Sequence, residues 1–226
     1  MSAETQRRYT LDEYLALERG SEVRYEFWDG EVFGMSGGTL SHERIMGNSF
    51  ALFRSHLRGT CETFAGDMQI KVPSAPPYRY ADGSVVCGKV EVERFNGNDL
   101  LVNPFLIFEV LAPSTEAYDR GDKFTYYKSI PSFREYLLIA QHRAHITHYA
   151  KQADGVWSYA EINDLDGSLQ LFSVDLTLKL SDVYQNVEFE KLPSRISDPD
   201  NLRGNQSGSP STTVNSEESE EDRNAR

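Results

Sequence analysis

Cysteine is almost missing from this chain. Among 226 residues there are two, Cys61 and Cys87, and no second pair stands near either to make a metal-ligand spacing. A zinc ribbon or finger is therefore excluded. In a reducing compartment the two are expected as free thiols. Long apolar runs are missing too. None approaches the ~20 residues that span a bilayer, and Met-Ser-Ala-Glu-Thr-Gln-Arg-Arg at the start is not followed by an apolar signal region. The expectation is a cytoplasmic protein with no membrane span. Basic residues are scarce: 23 Lys and Arg face 35 Asp and Glu, a net charge of −12. That balance argues against a passive nucleic-acid coat, which carries basic stripes. It leaves room for an enzyme that meets DNA through a local groove and a metal ion. There is no internal repeat. Large apolar residues nearly vanish after Pro193, and such a segment cannot bury enough surface to order itself. The expected organisation is one domain over residues 1–193 and a disordered, acidic tail rich in Ser, Asn and Glu over 194–226.

What the chain does have is a core: 39% hydrophobic and 12% aromatic residues. Thr10, followed three residues later by Glu13, predicts a capping box and a first helix reaching Gly20. Arg24 to Met35 reads as a hairpin around Asp29-Gly30. A second helix is expected from a Ser41 cap to Gly59. Cys61 to Val72 reads as a strand pair or one bent strand, and Tyr78 to Cys87 as the next strand. Gly88 to Asn98 reads as a polar loop, a lid or an insertion. Phe105 to Leu111, bounded by Pro104 and Pro113, is a short apolar run of the kind buried on both sheet faces. Thr115 to Lys128 is expected as a third helix capped by Thr115 and weakened by Gly121. Glu135 to Ala140 is a second buried strand, giving a βαβ unit with parallel strands. A hairpin at 145–162, further strands at 168–172 and 176–180 and a short helix from Leu180 complete the domain. The fold class is α/β, with helices packed on a central mixed sheet.

The apolar run contains one charge, Glu109, and ionised groups are rarely buried alone. Either it meets water or a structural arginine at a sheet end, or it serves a site. Asp82 lies in the preceding strand. Two carboxylates on adjacent strands suit a hard cation such as Mg²⁺, which prefers oxygen ligands and keeps several waters. Such an ion activates water and neutralises a phosphate. Lys123 sits about eight residues into the following helix, ~12 Å at ~1.5 Å per residue. Glu109 lies about three residues before the turn, ~10 Å at ~3.3 Å per residue. The two fall at similar height. Asp119, four residues before Lys123, also allows an ordinary surface ion pair. Glu26 is either an additional site acid or a solvated hairpin carboxylate. His42, at a helix start, either faces a phosphate or closes the turn, and the second role is favoured. His145 and His148, three apart in a strand, point to opposite faces and cannot share a metal.

These residues resemble a known family. Asp82, the stretch Glu109-Val-Leu-Ala-Pro-Ser-Thr, Asp119-Arg-Gly-Asp-Lys123, Tyr127, Ile130-Pro131-Ser and Glu135-Tyr are similar to the large restriction endonuclease family abundant in cyanobacteria. That family lies within the PD-(D/E)XK nuclease superfamily. The likeness runs from about Thr10 to Glu190 and includes Tyr25-Glu26, Asp29-Gly30-Glu31 and Ser41-His42-Glu43. It implies a restriction-endonuclease-like core and Mg²⁺- or Mn²⁺-dependent hydrolysis of DNA phosphodiesters. Asp82 and Glu109 would hold the metal, with Lys123 and Glu26 completing the catalytic set. Two departures stand out: Ala81 replaces the usual proline, and Leu111 occupies the position of the superfamily lysine, for which Lys123 is the substitute. Gly83, beside Asp82, is read as loosening its strand. The alternative is a degenerate nuclease fold serving as a DNA- or protein-binding module. A homodimer is expected on the ground that cutting both strands takes two sites.

Overall fold

The computed structural model describes residues 7–21, 23–34 and 38–189. The described residues belong to a unit that ends at Glu190, so the tail expected from Ser194 lies outside them.

Helix α1 (Leu11–Arg19) starts as its capping box requires: Glu13 N donates to Thr10 Oγ1, and Thr10 N donates to Glu13. Strands β1 (Tyr25–Trp28) and β2 (Glu31–Gly34) form a hairpin turning on Asp29 and Gly30, both at positive φ. Helix α2 (Leu40–His56) is capped by Thr39, not Ser41, with His42 N donating to the Thr39 hydroxyl. The preceding threonine has the extended backbone a cap needs. There follow β3 (Cys61–Ala65), β4 (Gln69–Lys71), β5 (Tyr78–Tyr80), β6 (Gly83–Cys87), β7 (Val92–Phe95), β8 (Asn98–Leu101) and β9 (Leu106–Leu111). After α3 (Glu116–Tyr118), a π-helical turn (Asp119–Lys123) and α4 (Phe124–Tyr127) come β10 (Glu135–Ala140), β11 (Ile146–Lys151), β12 (Trp157–Ile162), β13 (Ser168–Leu171), β14 (Leu176–Lys179) and α5 (Leu180–Val183). Among the described residues, no helix is long and apolar enough to cross a membrane.

The central sheet has the order β12-β11-β10-β9-β6-β3. β9 and β10 are parallel, Glu109 opposite Leu138, and every other pair is antiparallel. In a smaller sheet, β5-β4-β8-β7, strand β7 and the first residue of β8 occupy the stretch from Gly88 to Asn98 that reads as a polar loop. Leu106, Phe108 and Val110 face one way, against Ile45 and Phe53 of α2 and the β13–β14 hairpin. Ile107 and Leu111 face the other way, against Phe124, Tyr127 and Ile70. Both faces are covered, which explains why β9 and β10 are apolar at almost every position. Each such Leu, Ile or Phe contributes about 1.5–3 kcal/mol by leaving water.

Four further expectations need correcting. The third helix is not one continuous α-helix: a π turn interrupts it at Asp119–Lys123, and Thr115 makes no side-chain cap. The long strand from Tyr78 breaks at Ala81-Asp82, so its two halves join different sheets. Gly83 does not loosen the strand. The Phe108 ring lies directly over it, and a Cβ there would sit 2.1 Å from the Phe108 Cζ. Finally, Cys61 and Cys87 are not free thiols but a disulfide. They stand opposite one another in the β3–β6 register with Cα atoms 4.1 Å apart, a juxtaposition that a spacing of 26 residues does not reveal.

Candidate active site

The break before β6 leaves Asp82 off the sheet ladder, beside Glu109. The two residues interlock: Asp82 N donates to Glu109 Oε2 at 3.1 Å, and Val110 N donates to Asp82 Oδ2 at 2.6 Å. Alternation along β9 turns Glu109 to the face that α3, the π turn and α4 cover. There Lys123 Nζ lies 3.0 Å from Glu109 Oε1, 3.2 Å from Asp119 Oδ1 and 3.8 Å from Glu26 Oε1. Tyr127 Oη donates to Glu109 Oε1 at 3.0 Å. Glu26 enters from β1, where it accepts from Tyr80 N at 2.9 Å. Asp82, Glu109, Lys123 and Glu26 thus line one cleft of about 580 Å³.

Burial sharpens the electrostatics. Glu109 is 3% exposed and Lys123 6%. Burial pushes the Glu109 carboxyl well above the ordinary carboxylate range. The Lys123 ammonium opposes that rise, and the Asp119 and Asp82 charges add to it. Burial alone would lower Lys123. The surrounding Glu109, Glu26 and Asp119 more than offset this and hold the amine well above its usual value, so it stays charged. One lysine therefore faces three acids, with a fourth, Asp82, alongside.

His42, in the first turn of α2, places Nε2 3.5 Å from Asp82 Oδ2. Burial lowers its basicity, but Asp82 and Glu43 outweigh that and raise it. Its Nδ1 is buried without a hydrogen-bond partner among the described residues.

Asp119 was legible only as a surface partner of Lys123. It is 3% exposed, and its pair with Lys123 is a buried one. The π turn swings both side chains inward, and such turns gather at functional sites. His148 has a partner that spacing did not suggest: its Nε2 lies 3.0 Å from Glu135 Oε1. His145 instead meets Thr147 and Glu161, so the two histidines are indeed apart.

The donor set fits a divalent ion. Among the described residues only Oδ2 of Asp82 is engaged, and Asp82 is partly exposed to the cleft. The local excess of carboxylates is a charge that a cation would relieve. No group of three or more His, Cys, Asp or Glu side chains among the described residues makes a ready cage. Mg²⁺ does not need one, since it is commonly held by one or two carboxylates with waters and a substrate phosphate.

A mixed sheet with few helices is the arrangement of a restriction-endonuclease-like fold. In agreement, the chain is similar to the crystal structure of a "putative nuclease belonging to DUF820" from Anabaena variabilis. The TM-score is 0.62 at 18% identity, over 77% of this chain and 97% of that one. The Uma2 family, described as "Putative restriction endonuclease", matches residues 11–203, and the chain belongs to that family. Two Synechocystis proteins are similar as well. "Uncharacterized protein slr1290" is 34% identical over 179 residues, 79% of this chain and 92% of its own length. "Uncharacterized protein sll1609" is 32% identical over 165 residues, 72% and 92% respectively.

Proposed function

We propose that this chain is a Mg²⁺- or Mn²⁺-dependent endonuclease hydrolysing DNA phosphodiester bonds. The observation that carries the reading is the crowding of Glu109, Asp82, Asp119 and Glu26 around one buried lysine in a single cleft. Asp82 and Glu109 would hold the ion, which supplies Lewis acidity at the phosphate. Val110 N fixes one oxygen of Asp82 and leaves the other toward the cleft. Tyr127 and the Asp82 amide fix Glu109 from the protein side. Lys123 is a rigid cation at the point where negative charge grows on the phosphate, and such preorganised charge is worth several kcal/mol in a water-poor site. Glu26 and Asp119 flank its ammonium, and together with Glu109 they keep it protonated. A water oxygen joins phosphorus and gives up one proton, the P–O bond to the leaving sugar breaks, and the leaving oxygen takes up one proton, so that the net change is the addition of one water across the P–O bond.

The test is nicking of supercoiled plasmid in Mg²⁺ by the parent and by Asp82→Ala and Glu109→Ala, with circular dichroism to confirm folding. Parent-level cutting by either folded variant would overturn the assignment.

A second reading, a nuclease fold kept as a DNA- or protein-binding module, draws on the two departures from the family pattern, Ala81 for the usual proline and Leu111 at the position of the superfamily lysine. Calorimetric titration separates the two. Saturable Mg²⁺ uptake that Asp82→Ala abolishes supports the enzyme, and no uptake with DNA present supports the module.

A further inference from the structure

The rim of the cleft carries aromatic rings that the nuclease reading leaves without a role. In the β1–β2 register Glu26 stands opposite Phe33 and Trp28 opposite Glu31. The period of two puts all four on one face, and Glu26 and Phe33 both line the cleft. The Trp28 ring centre lies 6.1 Å from that of Phe33 and 5.1 Å from that of Tyr118. Tyr118 in turn sits beneath Lys123, whose Nζ is 5.8 Å from the ring centre. A row of three rings therefore runs from the buried ammonium to the cleft mouth.

The row is pre-set. Trp28 Nε1 donates to Tyr126 Oη and Arg79 Nε donates to Tyr118 Oη, each at 2.9 Å. Their polar tips are tied back into the protein. Phe33 ends the row and is 42% exposed. Exposure alone is ordinary for a single apolar side chain; what sets Phe33 apart is that its open ring lines the cleft and continues the row from Trp28.

Charge says what the ring is for. Among the described residues, six carboxylates line the cleft against two full-time cations, Arg24 and Lys123. Both are already paired: Arg24 with Asp67 at 2.6 Å, Lys123 with Glu109 and Asp119. Binding driven by phosphate contacts and counterion release needs free basic side chains, and the described residues that line this cleft offer none. Stacking of bases on aromatic faces does not need them, and it contributes substantially per base. A paired base inside a duplex has both faces covered, whereas an unpaired base has a face to give.

Resting on the nuclease reading of the acid cluster, we propose that the Tyr118–Trp28–Phe33 row is a nucleobase platform. The preferred substrate is then single-stranded DNA, or a duplex opened at a flap, bubble or frayed end, with one unpaired base stacked on Phe33.

The test is fluorescence anisotropy with a dye-labelled oligonucleotide, single-stranded or annealed as a blunt duplex, in Ca²⁺ in place of Mg²⁺. The full-length protein is expected to bind the single strand more tightly than the duplex. Phe33→Ala should weaken single-strand binding about tenfold, and Phe33→Trp should restore it. Raising salt from about 50 to about 200 mM should weaken binding less than about tenfold, where a binder using many phosphates loses about a thousandfold or more. Equal single-strand affinity of parent and folded Phe33→Ala would overturn the proposal, as would a preference for duplex or no binding of either. The two readings fail separately. A parent that shows Phe33-dependent single-strand binding but never cuts keeps the platform and loses the nuclease. A parent that cuts, with Phe33→Ala cutting single strands equally well, keeps the nuclease and loses the platform.

Discussion

Two buried glutamates, on neighbouring parallel strands, show how one side chain can be put to opposite uses. Glu135 on β10 and Glu109 on β9 are 1% and 3% exposed. They lie three steps apart in the register, since Glu135 faces Leu106 and Glu109 faces Leu138, and so point to opposite faces of the sheet. Glu135 is saturated: Phe172 N, Ser173 N and Ser173 Oγ donate to it, and His148 Nε2 lies beside it. Burial alone would raise its pKa, but His148 and Ser173 outweigh burial and hold it below the ordinary range. It ties the β13–β14 turn to the sheet. Glu109 has one lysine, one tyrosine and one amide, but also Asp82 and Asp119 pressing on it, and its pKa is raised. A carboxylate whose acceptors are filled by neutral donors or a histidine is structural. One left among its own kind is waiting for a cation, and it is a candidate for function on that ground.

Removing the charge from each should therefore hurt different properties. The largest effect is expected from Glu109→Gln. If Glu109 holds the ion, plasmid nicking should fall on the order of a thousandfold. The unfolding free energy in urea should stay at the parent value or rise, because Lys123 keeps Asp119 and Glu26 as partners and one buried acid is gone. A loss of several kcal/mol in stability would place Glu109 with Glu135 as a structural residue.

Glu135→Ala is the converse. It strips two amides and a hydroxyl of their acceptor and leaves His148 alone in the core, a combination that destabilises by about 3 kcal/mol. Nicking per folded molecule should stay near the parent level, since the cleft lies on the other face of the sheet. Denaturation followed by tryptophan fluorescence, with rates normalised to the folded fraction, measures both.

The strand beside Glu109 provides a third probe. Gly83→Ala brings a methyl into the space of the Phe108 ring, and overpacking of this kind costs about 1–3 kcal/mol. Asp82 precedes Gly83 and is held by Val110 N, so the variant should also weaken Mg²⁺ uptake in calorimetry. Full stability would mean that Phe108 moves aside freely.

Much of this was legible in the residues, and the rest was hidden for physical reasons. The β9 run is apolar at every position but one because two layers cover it, so Glu109 stood out at once. The βαβ unit and the hairpins at Asp29-Gly30 and Asp154-Gly155 also followed from turn chemistry and length. The β7–β8 pair did not. Val92 to Asp99 is exposed at nearly every position, which erases the period that marks a half-buried strand. The π turn escaped because Asp119-Arg-Gly-Asp-Lys has helical spacing, and the extra residue per turn is decided by packing. The Cys61–Cys87 pair depends on strand register, and the partners of Glu135 at Phe172 and Ser173 depend on a hairpin that docks from far along the chain. Contacts set by docking leave no local signal, whereas a charge inside an apolar run does.

The smallest effect is in pH, and it separates the two glutamates by sign. Glu109 has a raised pKa in the folded state, so between the ordinary glutamate value and its own, the folded protein holds a proton that the unfolded chain has lost. Stability must then fall as pH climbs through that window. Glu135 is lowered, so its contribution is complete above the ordinary value and is lost as pH falls through its own. Stability curves of parent, Glu109→Gln and Glu135→Gln from about pH 3 to about pH 8 should show this. The gap between Glu109→Gln and the parent should widen in favour of the variant as pH rises above about 4.5. The gap between the parent and Glu135→Gln should close on acidification below that point. Adding Mg²⁺ should flatten the first trend, because a cation at Glu109 takes over from the proton, and it should leave the second unchanged. Equal slopes for both variants would mean that the two carboxyls sit in equivalent surroundings, and that the crowding around Lys123 carries no chemical consequence.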